Sequence, residues 1–190
     1  FKEFDKRRGK TYVRHQRKRI VEFANTDIAL LRHFIDLLSK EYGYAPNITN
    51  SNHNVFRVCI TKNYVIDDLI SGMNFGTLKW SVPDEISRHD DLSCAFIRGF
   101  FDGDGSVGFI CKKIPRIRLH SNNLAGLQQL ALILNRLGID AKVNGPYKGA
   151  YELLLATRSV VRFIKLIKSN HTKKRRIFKI AEVYTHTMPR

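Results

Sequence analysis

Two carboxylates separated by one glycine stand near the middle of the chain, in the segment Asp102-Gly103-Asp104-Gly105. Carboxylate oxygens can bind Mg²⁺, which favours one or two carboxylates together with waters and phosphate oxygens. The competing interpretation is that Asp102 and Asp104 only form turns, as Asp-Gly often does. A calcium-binding EF-hand loop is excluded, because its sixth position would be Val107 instead of glycine and its twelfth Lys113 instead of glutamate. The segment therefore predicts a magnesium site or a plain turn.

A helix is predicted to carry these carboxylates, from Leu92 to about Asp102, with a strand following over Ser106–Cys111. Three small residues recur at steps of four and therefore share one face of this helix: Ala95, Gly99 and Gly103. A glycine inside a helix costs roughly 1 kcal/mol relative to alanine. We therefore expect a second helix to pack closely against this face and to offset that cost.

An internal repeat surrounds the candidate site. The first copy is predicted to contain an extended segment, a helix, two strands and a short helix, over residues 19–26, 27–42, 45–49, 55–61 and 63–71. The second copy is predicted to follow the same order, over residues 116–123, a helix ending at 137, then 139–143, 151–156 and 159–168. Apolar residues at helical and alternating spacing support both assignments. The order predicts an α+β fold with two similar subdomains, the alternative being a chance likeness between two generic units.

The charge of the chain points to a polyanionic partner. It carries 33 basic and 17 acidic residues, a formal net charge of +16, and such an excess is typical of proteins that bind nucleic acid or anionic membranes. We find no amphipathic basic helix, no lipidation signal and no apolar run of about 18 residues, which a membrane-spanning helix needs. Nucleic acid is therefore the expected partner and a membrane is not; a solvated basic surface without a partner is the alternative.

The cysteines favour a reducing compartment. Cys59, Cys94 and Cys111 are odd in number, widely spaced and form no CxxC pair, so neither a zinc site nor a disulfide framework is indicated. We expect an intracellular protein, in the cytoplasm of a prokaryote or in an organelle.

The segment Ile97–Gly105, with its sequence Gly-Phe-Phe-Asp-Gly-Asp-Gly at positions 99–105, resembles the motif of the LAGLIDADG homing endonucleases. The helix of small residues, the acidic end, the strand and the repeat follow the order of that family over essentially the whole chain. The resemblance implies two pseudo-symmetric subdomains, each a curved antiparallel sheet backed by helices, with two motif helices packed at the centre. It places the first repeat at 1–73, a linker at 74–91 and the second repeat at 92–190.

The resemblance also implies which residues form the active site. Asp104 would be the metal ligand, with the Gly103 carbonyl beside it, whereas Asp102 would brace the helix end. Asn25 and Asn122 occupy matched strand-to-helix junctions, where the family often places a polar active-site residue, although both could be capping residues instead. Lys113 or its neighbour Lys112 could face the scissile phosphate, although a simple phosphate contact is the more natural role. Mg²⁺ is the expected cofactor, with Mn²⁺ or Ca²⁺ able to substitute for binding.

Basic residues on the predicted strands would hold the DNA. Alternation lets one face of a strand be basic while the other faces the core, and a two-stranded ribbon fits the major groove. The expected DNA-binding residues are Arg7, Lys10, Arg14, Arg17, Arg19, Arg57, Lys112, Arg116 and Arg118. The basic run 173–176 is interpreted as a solvated helix end, the alternative being that it adds phosphate contacts.

The function that follows is a site-specific endonuclease that uses a divalent metal to cut both strands of DNA at a long target site. The alternative is a non-cutting relative on the same fold, either a DNA-binding regulator or an intron RNA maturase. A second acidic motif is expected to precede the first repeat, but Lys2–Lys10 contains no Gly-Asp-Gly and instead predicts a hairpin that turns near Arg8-Gly9. We therefore expect the first motif to lie upstream of Phe1 in a monomer with internal pseudo-two-fold symmetry, the alternative being a dimer.

Overall fold

The computed structural model describes residues 2–7, 10–15, 19–51, 54–74, 76–111, 113–186, and only the backbone of 2–7, 10–15, 51 and 184–186. The first half contains β1 (Lys2–Arg7), β2 (Lys10–His15), β3 (Val21–Asn25), α1 (Ile28–Tyr42), β4 (Ile48–Ser51), β5 (Val55–Ile60) and α2 (Asn63–Ile70). The second half contains α3 (Asp84–Arg88), α4 (Asp90–Asp104), β6 (Gly105–Ile110), β7 (Ile114–Ser121), α5 (Leu124–Arg136), β8 (Ala141–Tyr147), β9 (Ala150–Leu155), α6 (Val160–Leu166) and α7 (Thr172–His186).

The first repeat is an antiparallel sheet in the order β3-β5-β4, covered by α1 and α2. Leu38 of α1, Ile60 of β5 and Val65 of α2 are buried together in one small core. The Asp27 side chain caps the start of α1 by accepting a hydrogen bond from the Ala29 N–H at 3.0 Å. Gly43 ends the helix in the left-handed conformation, with φ 61°, which glycine adopts without steric cost.

The second repeat has a larger antiparallel sheet in the order β6-β7-β9-β8. Helices α4, α5, α6 and α7 all contribute to the core on one face of this sheet. Strand β7 shows the alternation that the sequence predicts, because Ile117 and Leu119 are fully buried whereas Arg116 and Arg118 project from the other face. One face of the sheet is therefore packed against helices, and no helix among the described residues contributes to a core on the other face.

The predicted repeat is confirmed, because β3-α1-β4-β5-α2 and β7-α5-β8-β9-α6 have the same order. The predicted hairpin is also confirmed, because β1 and β2 are antiparallel and Arg7 pairs with Lys10. The α+β architecture, with antiparallel sheets backed by helices, is as expected. The motif helix runs two residues further than predicted: the Gly105 N–H donates to the Phe101 carbonyl and keeps Asp104 within the last turn.

The segment predicted as a linker packs against the second repeat. Val82 is buried in its core, and its N–H donates to the Gln129 Oε1 at 2.9 Å. The Trp80 indole lies against Gly126 of α5, where a Cβ would come within 2.6 Å of the ring. The segment also contains the short helix α3. The division at 1–73, 74–91 and 92–190 stays a prediction.

None of the helices in the described part of the chain is long and apolar enough to span a membrane.

Candidate active site

Asp104 ends the motif helix α4 and is exposed to solvent. Its side chain lines a cleft of about 480 Å³ between the end of α4, the end of β7 and the connector, which is the segment 74–91 predicted as a linker. The cleft is also lined by Phe100, Trp80, His120 and Asn122. Two residues predicted from the sequence, Asp104 and Asn122, therefore lie on one cleft although they are 18 positions apart in the chain.

Asp102 has a different environment from Asp104. It is only 3% exposed. One carboxylate oxygen accepts a hydrogen bond from the Ser169 hydroxyl at 2.5 Å, and the other accepts one from the Asn170 N–H at 2.8 Å. Asp102 thus braces the end of α4 against the loop before α7, as predicted, and Asp104 is the carboxylate left open to a ligand.

Lys174 lies at the same end of α4 and was not predicted as a site residue. Its ammonium donates to the Phe101 carbonyl at 2.5 Å and to the Asp102 carbonyl at 3.0 Å, and it lies 4.7 Å from the centre of the Phe101 ring. Burial lowers the pKa of Lys174, an effect that the Asp102 and Asp104 carboxylates oppose. A lysine in this environment is typical of functional sites.

The sequence contains a signal for Lys174. The run 173–176 was interpreted as a solvated helix end, yet Lys174, Phe178 and Ala181 are spaced by four and three residues and share one face of α7. Phe178 and Ala181 are buried in the core. Lys174 therefore belongs to the inward face of α7, whereas Lys173 and Arg175 are exposed.

The sequence pattern matches Asn25 with Asn122, but the structure matches Asn25 with Ser121, one residue earlier in the chain. The Asn25 side chain accepts a hydrogen bond at 2.9 Å from the N–H of Asp27, the residue that caps α1. In the second repeat Ser121 accepts the corresponding bond at 3.1 Å from the N–H of Asn123, which caps α5. Ser121 is therefore the structural equivalent of Asn25, because the helix caps, not the strand sequences, fix the register of the two repeats.

His120 is a second residue that the sequence reasoning missed. It follows Arg116 and Arg118 in the alternation of β7, so it projects from the same free face of the sheet. It is exposed and lines the cleft of Asp104. The alternation of the predicted strand was a sufficient signal for its direction, but not for its proximity to Asp104.

Lys113 is separated from Asp104 by the length of a β-hairpin. It lies in the turn between β6 and β7, where its N–H donates to the Ile110 carbonyl at 3.1 Å. Strand β6 rises about 17 Å over its length, and Asp104 precedes its first residue. Lys113 therefore lies at the far end of the β6–β7 hairpin from the Asp104 cleft. Its predicted partner Lys112 lies outside the described residues.

The free faces of both sheets carry arginines beside one glutamate. In the second repeat Arg116 and Arg118 lie 3.4 and 3.6 Å from the Glu152 carboxylate. In the first repeat Arg57 lies 3.6 Å from Glu22. The Arg116 Nε–H is buried without a hydrogen-bond partner among the residues that the structure describes. These faces therefore present guanidinium groups that are held in place but retain donors for a further acceptor.

The other predicted DNA-binding residues lie elsewhere or are not fully described. Arg19 precedes β3 and forms an exposed ion pair at 2.7 Å with Asp67 of α2. Arg7, Lys10 and Arg14 belong to the β1–β2 hairpin, of which only the backbone is described. Arg17 lies outside the described residues.

The face of small residues on α4 is open. Gly99 and Gly103 are exposed, and a Cβ added to either would meet no atom within 4 Å. Beside this face runs a groove of about 410 Å³, lined by Ala95 and Gly99 of α4 and by apolar residues of the first repeat such as Phe34 and Leu37. The close packing expected against this face is not made by any residue that the structure describes.

The donors at the end of α4 suit one half of a magnesium site. Asp104 provides one free carboxylate, and the carbonyls at a helix C terminus, including that of Gly103, carry partial negative charge that favours a cation. Magnesium binds through one or two carboxylates. In the described ranges no group of three or more His, Cys, Asp or Glu side chains is assembled, so further ligands would have to come from water, the substrate or another motif.

Comparison with known proteins shows which domain family the motif helix α4 and the elements after it resemble. A model of the LAGLIDADG-like domain matches residues 91–168. The chain is 26% identical over 127 residues to the probable cell division protein WhiA of Clostridium novyi, an alignment that covers 63% of this chain and 39% of that protein. It is 28% identical over 153 residues to the WhiA of Streptococcus suis, covering 76% and 48% respectively. The chain thus spans less than half the length of these curated relatives.

Solved structures show the same fold. I-DmoI bound to DNA and Mn superposes with a TM-score of 0.57, at 18% identity and 88% coverage of both chains, and I-DmoI is a homing endonuclease. Another I-DmoI complex contains DNA and Ca. Full-length WhiA of Thermotoga maritima superposes with a TM-score of 0.58, at 12% identity, covering 90% of this chain and 55% of that one. Residues 91–168 are therefore a LAGLIDADG-like domain, and the chain has the fold of the LAGLIDADG homing endonucleases.

Proposed function

We propose that this protein is a site-specific, Mg²⁺-dependent endonuclease that cuts both strands of double-stranded DNA. The observation that carries the proposal is the division of labour between two neighbouring carboxylates. Asp102 is buried and fully engaged by Ser169 and Asn170, whereas Asp104 is exposed on a cleft. A plain turn has no need of this arrangement, but a metal site needs a free carboxylate on a rigid support.

The free faces of the two sheets would dock onto the DNA. Arg116 and Arg118 project from β7 toward the same side as His120, which reaches the Asp104 cleft. A phosphate or a guanine edge could accept hydrogen bonds from the exposed part of the Arg116 and Arg118 guanidinium groups. The sheet face and the cleft are continuous, so DNA lying on the sheet would bring a phosphate to Asp104. Arg57 would serve the first sheet in the same way.

The residues of the cleft have distinct parts in the reaction. Asp104 and the Gly103 carbonyl would hold the metal, which supplies an activated water and stabilises charge on the phosphate. Asn122 and His120 can donate hydrogen bonds to phosphate oxygens from the opposite wall of the cleft. Lys174 holds the helix end with its ammonium and adds positive charge beside Asp104. Preorganised donors of this kind are the main source of catalysis at charged transition states.

A second motif helix would complete the centre. The open face of Gly99 and Gly103 and the adjoining groove against α1 have the shape that a closely packed helix needs. We propose that this helix comes from a segment upstream of Phe1 and makes the protein a pseudo-symmetric monomer of two repeats. A second copy of the chain is the alternative, and the mass of the active species in solution distinguishes the two.

Asp104→Asn tests the proposal. The amide keeps the size of the side chain but removes the charge that binds the metal, so we expect cleavage of target DNA with Mg²⁺ to be lost while DNA affinity changes less than about threefold. The measurement is single-turnover cleavage beside equilibrium binding in Ca²⁺. Asp91→Asn, an exposed carboxylate at the other end of α4, is the matched control and should cleave normally. Cleavage by Asp104→Asn at the wild-type rate would refute the assignment.

A non-cutting DNA-binding function is the second candidate, because the curated relatives are probable cell division proteins and not nucleases by name. An intron RNA maturase on the same fold is a further form of this alternative. A nicking assay on candidate target DNA with Mg²⁺ separates the candidates. Specific binding without any nicking, in wild type and Asp104→Asn alike, would favour the regulator.

A further inference from the structure

The two repeats are joined through Asp27, the residue that caps helix α1. Its Oδ1 accepts the capping hydrogen bond from the Ala29 N–H. Its Oδ2 accepts a hydrogen bond from the Thr172 N–H, and the Thr172 hydroxyl lies 3.2 Å from Oδ1. The same carboxylate lies 2.9 Å from the Nδ1 of His171. Oδ1 therefore contacts both the start of α1 and the Thr172 hydroxyl, whereas both contacts of Oδ2 are to the start of α7.

This contact is buried and polar, so it has a strong geometric preference. The side chains of Asp27 and His171 are 8% and 11% exposed. Burial raises the pKa of Asp27, but the Thr172 hydrogen bonds and the nearby His171 outweigh it, so the carboxyl has a lowered pKa. A buried carboxylate that loses these hydrogen-bond partners destabilises the folded protein far more than a solvent-exposed carboxylate that loses its partners, because water can replace the partners only at the exposed site. The start of α7 is thereby fixed relative to the first repeat.

Lys174 follows Thr172 by two residues in α7, and its side chain contacts the end of α4, the helix that carries Asp102. Its ammonium binds the Phe101 and Asp102 carbonyls at the end of α4. The same loop is held from the motif side by Asp102, which binds Ser169 and Asn170. The loop before α7 is thus clamped between a carboxylate of the first repeat and one of the motif helix.

The second repeat makes the reciprocal contact. Asn123 caps α5 through its Oδ1, which accepts from the Gly126 N–H at 3.1 Å. Its amide Nδ2 donates to the carbonyl of Trp80 at 2.5 Å. Trp80 belongs to the connector that leaves the first repeat, and it lines the Asp104 cleft. The capping residue of the long helix thus has a second contact in both repeats. Asp27 of the first repeat binds the start of α7, which follows the second repeat, and Asn123 of the second repeat binds the connector, which follows the first repeat.

We propose that Asp27 is a positioning residue for the active site: from the first repeat it fixes the start of α7, and through it the place of Lys174 beside Asp104. The inference rests on the proposed nuclease function for its effect on cleavage, but not for its effect on Lys174 itself. Displacement of an active-site group by about 1 Å can cost about 100-fold in rate. The two repeats are then coupled by a defined hydrogen-bonded contact, in addition to the second motif helix proposed to pack on α4.

Asp27→Asn tests the proposal because asparagine is as good a helix cap as aspartate. The variant keeps an acceptor for the Ala29 N–H but loses the charge and one of the two acceptor oxygens that serve His171 and Thr172. We expect single-turnover cleavage to fall by about 10- to 100-fold with DNA affinity close to wild type, and the melting temperature to fall because the asparagine amide cannot replace the buried carboxylate beside Thr172 and His171. Asp36→Ala, an exposed carboxylate of the same helix α1, is the matched control and should leave the rate unchanged.

A chemical readout separates positioning from other causes. Acetic anhydride labelling, mapped by mass spectrometry, should modify Lys174 faster in Asp27→Asn than in wild type, with the exposed Lys179 of α7 as internal reference. Unchanged labelling of Lys174, or faster labelling at an unchanged cleavage rate, would overturn the inference. The Asp104→Asn variant is expected not to cleave DNA. If the wild-type protein does not cleave DNA either, the nuclease proposal fails. The labelling does not depend on cleavage, so it still decides whether Asp27 holds Lys174 in place.

Discussion

At the scale of single residues, the site is defined by three charged side chains around the last turn of α4. Asp102 and Asp104 are two positions apart, but one is 3% exposed and hydrogen-bonded while the other is open to the cleft. The Lys174 ammonium binds the Phe101 and Asp102 carbonyls and offsets the partial negative charge of this helix end. Identical chemical groups thus take different roles because burial and partners differ.

Lys174→Met is expected to reduce cleavage by about 100-fold, comparable to removal of one preorganised donor in other enzymes. Methionine retains the length and apolar contacts of the lysine chain over the Phe101 ring but cannot donate to the Phe101 and Asp102 carbonyls. The measurement is the single-turnover rate with saturating Mg²⁺.

Lys173→Met is the control for this variant, since Lys173 is adjacent, exposed and equally charged. If both variants slow cleavage to the same extent, the effect arises from general positive charge on α7 and not from the position of Lys174.

At the scale of elements, two glycines on neighbouring helices have opposite surroundings. Gly126 of α5 lies under the Trp80 indole, where a Cβ would come within 2.6 Å, and so locks the connector onto the second repeat. Gly99 of α4 has open space where its Cβ would be. The first glycine serves a contact that the described residues complete, and the second serves one that they do not.

Gly99→Leu is therefore expected to leave the chain folded and slightly more stable, by up to about 1 kcal/mol, because leucine favours the helix and meets no neighbour. It should nevertheless abolish cleavage, because a second motif helix cannot approach a leucine as it approaches a glycine. Urea denaturation measures the stability, and the cleavage assay measures the consequence.

Gly126→Ala is the matched comparison and should show the reverse in stability, losing about 1–3 kcal/mol through overpacking against Trp80. Normal cleavage by Gly99→Leu would show that no helix packs on this face of α4, and would remove the two-motif centre from the proposal.

At the scale of the whole molecule, the net charge is +16, and some of the basic residues lie on the outer faces of the two sheets. Arg57 of β5 pairs with Glu22 of β3 in the first sheet, and Arg116 and Arg118 of β7 pair with Glu152 of β9 in the second, so both sheets carry cross-strand ion pairs with the charges on opposite strands. A glutamate beside each group limits the repulsion among like charges and orders the guanidinium groups. The charge is thus presented in a defined pattern.

The salt dependence of DNA binding is the test at this scale. If about eight phosphates are neutralised, the slope of log affinity against log salt should be about −7. Arg116→Gln with Arg118→Gln should reduce its magnitude by about 2. Arg158→Gln, an exposed arginine paired with Asp140, should change it little. A wild-type slope near zero would exclude docking of the sheets on DNA.

The sequence by itself determined the parts of this protein that depend on local pattern. Alternation in β7 predicts which side chains face the core, helical spacing predicts α1 and α5, and the Asp-Gly-Asp-Gly run marks the end of the motif helix. The strand and helix order of both repeats is confirmed. These features follow from interactions between residues close in sequence, or from the family motif.

The tertiary structure decided the features that depend on residues far apart in the chain. Lys174 joins Asp102 across 72 positions, and Asp27 joins Thr172 across 145. No local pattern encodes such a meeting, because it depends on how α7 packs against α4 and against the first repeat. The one-residue error in matching Asn25 to Asn122 has the same origin: the capping hydrogen bonds of α1 and α5 set the register of the folded repeats. The sequence identified the residues able to do the chemistry, but long-range packing placed Lys174 beside Asp104 and left Lys113 at the far end of a hairpin.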